Sequence, residues 1–320
     1  MRSDPQGTRP MAAPGGAGSP LADHALAPVG AALAATGLWS IGNLIAVSAG
    51  LPGPQLAFWR TLFGAAVYGA IFVLRGGRYS VAAFRAAAVG GVAFGLSATL
   101  FFSALKHTTV ASATVIAALQ PVLLLPYSMR RLGEKVTAAR ILLILVAVSG
   151  TVIVVLGSSD NSGEWSLTGD LLAFAGTLVG CAYFVGTKSA RETLGALEYQ
   201  ASALPTAAVV ALCGALISGP GLQAPTLAAL GAAMAMTLVP GSGHLLMSWS
   251  QKHLEVSTTS TIALGVTVLS SLGAVAVYDQ SLEPLQVVGM AVVLVALAVF
   301  VRQTGRAAAD PAEIAVVPGE

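Results

Sequence analysis

LKHTTVASATVIAALQPV, residues 105–122, and QKHLEVSTTSTIALGVTV, residues 251–268, align without a gap at a constant offset of 146 residues. Lys106 meets Lys252 and His107 meets His253, and Val110, Ile116, Ala117, Val122 and the following Leu123 also find identical partners. Identities among Ala, Val and Leu are cheap in a chain this apolar. The Lys-His pair carries the weight, because the whole sequence holds only four His and four Lys. Two readings stand at this point: an internal repeat, or chance similarity between two apolar segments with basic flanks.

The remainder of the chain decides what such a repeat would be. Of 320 residues, 55% are hydrophobic and 9% charged, against roughly a quarter charged in a soluble domain. A helix crossing roughly 30 Å of hydrocarbon needs about 20 apolar residues. Ten windows meet that need, at 28–49, 54–74, 86–105, 109–131, 137–157, 169–188, 199–219, 226–250, 256–278 and 284–302. Each is continuously apolar, whereas barrel strands alternate with polar positions, so the expected fold is all-α and membrane-spanning. Residues 1–27 and 303–320 read as disordered cytoplasmic tails rich in Pro, Gly and Ala, without the apolar core of a signal peptide. A net charge of +2 offers no basic field for nucleic acid. Cys181 and Cys213 lack a Cys-x-x-Cys spacing and read as small packing residues.

Cytoplasmic loops retain Lys and Arg. With the N-terminus inside, the inner segments hold Arg2, Arg9, Arg75, Arg78, Arg85, Arg130, Arg131, Lys135, Arg140, Lys188, Arg191, Lys252, Arg302 and Arg306, fourteen of the sixteen basic residues. Outside stands only Lys106, among Asp160, Glu164, Asp170, Asp279 and Glu283. Both termini are therefore expected in the cytoplasm.

The offset divides ten spans into five and five, and an odd number forces the second copy to enter the membrane from the opposite side. The expected architecture is two inverted five-helix repeats, 28–157 and 169–302, joined by an extracytoplasmic linker at 158–168. Lys106 is then outside because its counterpart Lys252 is inside. Inverted repeats are a recurring plan in secondary transporters, where similar halves expose a midplane site to each side in turn, although fold alone does not fix function.

The chain also resembles the drug/metabolite transporter superfamily, in particular the ten-helix EamA-type permeases, over about residues 28–302. The segment VIAALQPVLLLPYSMRRLGEKVT is similar to that family's fourth helix, with Gln120-Pro121 within it and Gly133-Glu134 at its cytoplasmic end. QLAFWRTLFGAA is similar to the second helix, with its Arg at Arg60. In the second repeat the equivalent positions are Val266-Thr267 and Asp279-Gln280, so that half reads as a degenerate copy. The resemblance implies transport, often outward, of amino acids, metabolites or drug-like compounds, with the cargo open.

Several residues are candidates for that work. Arg60 is the one permanently charged side chain well inside a span, a placement that normally faces a bundle interior or wet cavity. It either binds an anionic group of the cargo or gates, clamps carbonyls or snorkels outward. Gln120 and Pro121 put an amide at a kink, a cargo contact or a helix-helix bond. Pro240, Gly241, Ser242 and Gly243 weaken the eighth span, where a break is expected to line a cavity. His244 follows as a proton carrier or a hydrogen-bonded packing residue. Trp39 and Asn43 on the first helix, with Tyr183 on the sixth, suit an aromatic wall with polar contacts. Gly91-x-x-x-Gly95 and Gly176-x-x-x-Gly180 read as close helix packing.

No Asp or Glu occupies the interior of a span, which argues against coupling through a midplane carboxylate. No zinc-protease or nucleophile-elbow motif is present, so a membrane enzyme is disfavoured, with no catalytic residues, metal or cofactor expected. The partners expected are the lipid bilayer and a small-molecule substrate, with a homodimer left open. A secondary transporter working by alternating access is the leading reading, and a channel or signalling protein the alternative. Ala- and Gly-rich composition and short loops suggest a bacterial cytoplasmic membrane.

Overall fold

The computed structural model describes residues 20–104, 107–108, 110–157, 166–218, 221–279 and 281–309. Lys106, Gln280, most of the linker and the outer parts of both tails lie outside the described residues. Among the described residues twelve helices are formed: α1 (Pro20–Ser48), α2 (Gly53–Leu74), α3 (Val81–Ala104), α4 (Val110–Ala118), α5 (Gln120–Arg131), α6 (Ala138–Leu156), α7 (Leu167–Ala190), α8 (Ala196–Ile217), α9 (Leu227–His253), α10 (Val256–Ala263), α11 (Gly265–Tyr278) and α12 (Pro284–Ala309). They make ten membrane-length apolar segments, because α4 with α5 and α10 with α11 each form one broken span.

Most windows fall within a few residues of these helices. The exceptions have local causes. α3 starts five residues before the expected 86, because Ser80 Oγ accepts from Ala83 N at 3.0 Å and caps a turn earlier. α1 starts at Pro20 and α12 runs on to Ala309, so 20–27 and 303–309, read as parts of disordered tails, are helical instead. Thr137, Ser166 and Thr226 cap α6, α7 and α9 in the same way.

Within lipid there is no hydrophobic drive between apolar helices, so small residues decide which backbones meet. Gly91 and Gly95 of α3 lie against the Ala203 and Ala207 carbonyls of α8, where an added Cβ would stand 2.5 Å from either oxygen. Gly176 of α7 packs on Leu100 and Phe101, so these glycines serve packing, as expected. Gly150 of α6 and Gly289 of α12 bring those two backbones together.

The most extensive contacts join α3 with α7 and α8, α1 with α9, α6 with α12, and α2 with α8. All of them cross between repeats. Counted as spans, 1 packs on 8 as 6 packs on 3, while 2 meets 7 and 5 meets 10. That exchange is what a two-fold axis between inverted copies requires. The halves are interleaved rather than set side by side.

The two broken spans turn at nearly equivalent places. Leu119 N reaches back to Ile116 O, and Leu264 N to Thr261 O, both at 3.1 Å. Each is a bond to the third preceding residue in place of the fourth, a local tightening of the helix. The expected degeneracy of the second copy is therefore one of sequence, not of shape. Thr267 stands where Pro121 does, and the break persists without proline. Around it Thr259, Ser260 and Thr261 turn their hydroxyls onto carbonyls three and four residues back, which loosens the ladder, and Gly265 follows.

The eighth span corrects an expectation. α9 runs unbroken from Leu227 to His253 with Pro240 inside it. Neighbouring helices hydrogen-bond to this stretch of α9 and fill the space its small residues leave. Tyr68 Oη donates to Thr237 O at 3.2 Å, and Gln200 Nε2 to Gly241 O at 2.9 Å. Pro240 sits against Gly42, Gly241 against Tyr68, and Gly243 against the Trp39 ring, so the missing side chains make room for close neighbours.

Candidate functional site: a cavity between the repeats

Helices of both repeats line a partly open cavity, with about 450 Å³ of space free of protein atoms when the solvent at its mouth is counted. α2 contributes Arg60, Gly64 and Tyr68, and α3 contributes Phe94. Tyr183 comes from α7, Gln200 and Leu204 from α8, and Met236, Thr237, Gly241 and His244 from α9.

Arg60 lies about 10 Å along α2 from its first residue, Gly53, at 1.5 Å per residue. Its guanidinium carbon is 5.1 Å from the centroid of the Phe94 ring, a cation–π placement that eases but does not neutralise the charge. The guanidinium makes no hydrogen bond and no ion pair with any described residue. A charge held so deep costs roughly 3 kcal/mol or more when left uncompensated. Its own backbone carbonyl is tied to α9, where Thr237 Oγ1 donates to Arg60 O at 2.8 Å. The helix position is thus fixed while the charged end stays uncommitted.

Opposite Arg60 is an aromatic wall. Tyr183 Oη and His244 Nδ1 are 2.9 Å apart and hydrogen-bonded. The His244 ring lies 4.7 Å from Phe94, edge-on, and 4.8 Å from Trp39; Phe94 and Tyr183 are 5.2 Å apart. These four rings join α1, α3, α7 and α9 at one place. Behind them Tyr199 Oη meets Thr187 Oγ1 at 2.7 Å.

Of the residues singled out in the sequence, Arg60, Tyr183, Gly241 and His244 line the cavity. Trp39 backs it through His244, and its Nε1 is buried without a partner. Asn43 is elsewhere: its Nδ2 donates to Ser270 Oγ at 3.0 Å in an exposed α1–α11 link. Gln120 is also elsewhere, with Nε2 buried and unpartnered beside Gly180. Cys181 Sγ, 3.8 Å away, approaches the Gln120 carbonyl. Pro121 is buried in the first turn of α5. Pro240 and Gly243 shape the packing of α9 on α1 rather than a break.

Sequence reasoning missed Phe94, Tyr68, Gln200 and Thr237. Arg60, Gly64 and Tyr68 recur at four-residue spacing, which puts them on one helix face, and that signal was legible. Phe94 offered none, since one Phe in an apolar run reads as lipid-facing or core with equal ease.

Ten spans in two interleaved, inverted repeats around a cavity with one charged side chain define a multi-pass membrane protein built on a secondary-transporter plan. The sequence profile of the EamA-like transporter family matches residues 26–156 and 167–302, one match per repeat, and the chain belongs to that family. A solved crystal structure of a protein 23% identical in sequence superposes with a TM-score of 0.72, over 87% of this chain and 97% of its own. That likeness shows the fold. No curated protein matches the sequence.

Proposed function

We propose that this protein is a secondary transporter that carries a small compound outward across a bacterial cytoplasmic membrane by alternating access, with the Arg60 cavity as its cargo site. The observation that carries the reading is the position of the cavity. It is walled by α2 and α3 of one repeat and α7, α8 and α9 of the other, so any rocking between repeats reshapes it. Membership of a transporter family supports the class. The outward direction rests on the resemblance to permeases that export. The bias of Lys and Arg to one set of loops supports cytoplasmic termini.

An untargeted comparison of extracellular metabolites tests this, using cells that overproduce the protein and cells that overproduce Arg60→Ala at equal membrane abundance. A compound enriched outside only with the unaltered protein is the expected result. If nothing differs outside the cells, and labelled small molecules are also not moved in vesicles, the transport reading falls in favour of a channel or signalling role.

A further inference from the structure

We propose, building on the transport reading of the cavity, that its cargo is a small organic monoanion, a carboxylate on an apolar or aromatic body, with the carboxylate on Arg60. Three observations lead there. The first is the uncommitted guanidinium. Two carbonyls of the neighbouring stretch of α9, those of Thr237 and Gly241, accept from Tyr68 and Gln200 rather than from Arg60. The Arg60 guanidinium carbon lies over the Phe94 ring at 5.1 Å, a contact that uses none of its N–H donors, so the hydrogen-bonding fork is available to a planar carboxylate.

The second observation is the lining itself, which among the described residues contains no Asp or Glu. An ammonium group, whether on a cationic drug or a zwitterion, would lose its water there and find no opposite charge. A single cation matches a single negative charge. The third is the remaining wall, where Phe94, Tyr183, Ala203, Leu204 and Met236 present apolar surface. Such surface suits the body of the cargo and adds nothing for a second charged group.

Thermal unfolding of the purified full-length protein in detergent at pH 7 tests the class, with five probes of one size. These are phenylacetate, its neutral isostere phenylacetamide, phenethylamine, phenylalanine and phenyl phosphate. Phenylacetate is expected to raise the unfolding temperature at a concentration at least ten-fold lower than the amide or the amine. Arg60→Gln is expected to erase that preference, and Arg60→Lys, which keeps the charge without the fork, to retain part of it. Should Arg60→Gln fail to fold, the preference for acid over amide in the unaltered protein decides.

Equal responses to acid, amide and amine overturn the proposal, as does a preference that survives in Arg60→Gln or a panel in which phenylacetate has no effect. Counterflow of labelled phenylacetate in proteoliposomes separates the two readings. Selective binding without flux leaves the cargo class standing and sinks transport. Flux of phenethylamine or phenylalanine, with no carboxylate preference, keeps transport and sinks the class.

Discussion

The fourth and ninth spans have the same shape and different chemistry. Both break one helical turn below the middle of the aligned segment, at Leu119 and Leu264, and both end on a left-handed residue. In the first repeat that residue is Gly133, with φ of 68°, and in the second Asp279, with φ of 52°, at the same 146-residue offset. Proline marks one break, whereas back-bonded hydroxyls and Gly265 mark the other. Selection for a bent span evidently tolerates several routes to the bend.

A second parallel lies at the helix starts. Glu134, in the first repeat, is buried with 9% of its surface exposed and accepts from Val256 N at 2.5 Å and Ser257 N at 3.2 Å. It thereby caps α10 of the other repeat. At the far end Asp170, in the second repeat, accepts from Thr108 Oγ1 at 2.8 Å and Ser112 Oγ at 2.6 Å, at the start of α4. Each broken span thus starts against a carboxylate lent by the opposite half, although the two carboxylates are not equivalent in sequence. A negative charge there also meets the positive end of the helix dipole.

The largest effect expected from breaking this comparison is at Glu134. Glu134→Ala strips two buried backbone donors of a charged acceptor and is expected to destabilise by about 2 to 3 kcal/mol, read as a fall in unfolding temperature in detergent. Asp170→Asn is expected to cost less in the same assay, since hydroxyls can turn to other acceptors. An equal loss from the two would mean that both latches are buried to the same degree. Next comes the left-handed pair. Gly133→Ala should cost about 1 to 2 kcal/mol, the usual penalty for a Cβ in that region. Asp279→Gly should instead stabilise by about 0.5 kcal/mol, because relief of the strain is partly offset by the freedom glycine adds to the unfolded chain.

The smallest effect is a pH dependence at the start of α10. Arg140 Nη1 donates to Glu255 Oε2 at 2.8 Å. Burial pushes the Glu255 carboxyl above its ordinary range; Arg140 pulls it back, and the nearby Glu134 charge raises it further. A carboxyl raised on folding contributes stability that is complete below its unfolded pKa and lost as pH rises through its folded pKa. Arg140→Met should move that loss to higher pH and enlarge it, and Glu255→Gln should flatten it. Unfolding temperatures between pH 4 and 8 check both. A profile unchanged in Arg140→Met would show that the pair is too wet to matter.

Much of this architecture was legible because hydropathy is a local property. A span announces itself by about 20 apolar residues whatever it packs against, and the Lys-His pair at one offset revealed the repeat. Arg60 and His244 were legible as candidates by their rarity inside spans. Asn43 was read as a cavity residue and Gln120 as either a cargo contact or a helix-helix bond, yet Asn43 meets Ser270 of α11 and Gln120 lies beside Gly180 of α7. The run from Pro240 to Gly243 read as a break because propensity counts only what the helix itself lacks. Tyr68, Gln200 and Trp39, from three other helices, supply the remainder.

By itself the sequence determined that this chain crosses the membrane ten times, in two copies of opposite sense, with Arg60 the permanent charge well inside a span. Only the tertiary structure decided which spans meet, and with that which side chains share the cavity. The physical reason is that helices in lipid recognise one another through close contact of small residues. With 36 glycines spread along the chain, many pairings look equally good until the backbones are in place. Phe94 became the partner of Arg60, and Glu134 the cap of α10, only when the two halves interleaved.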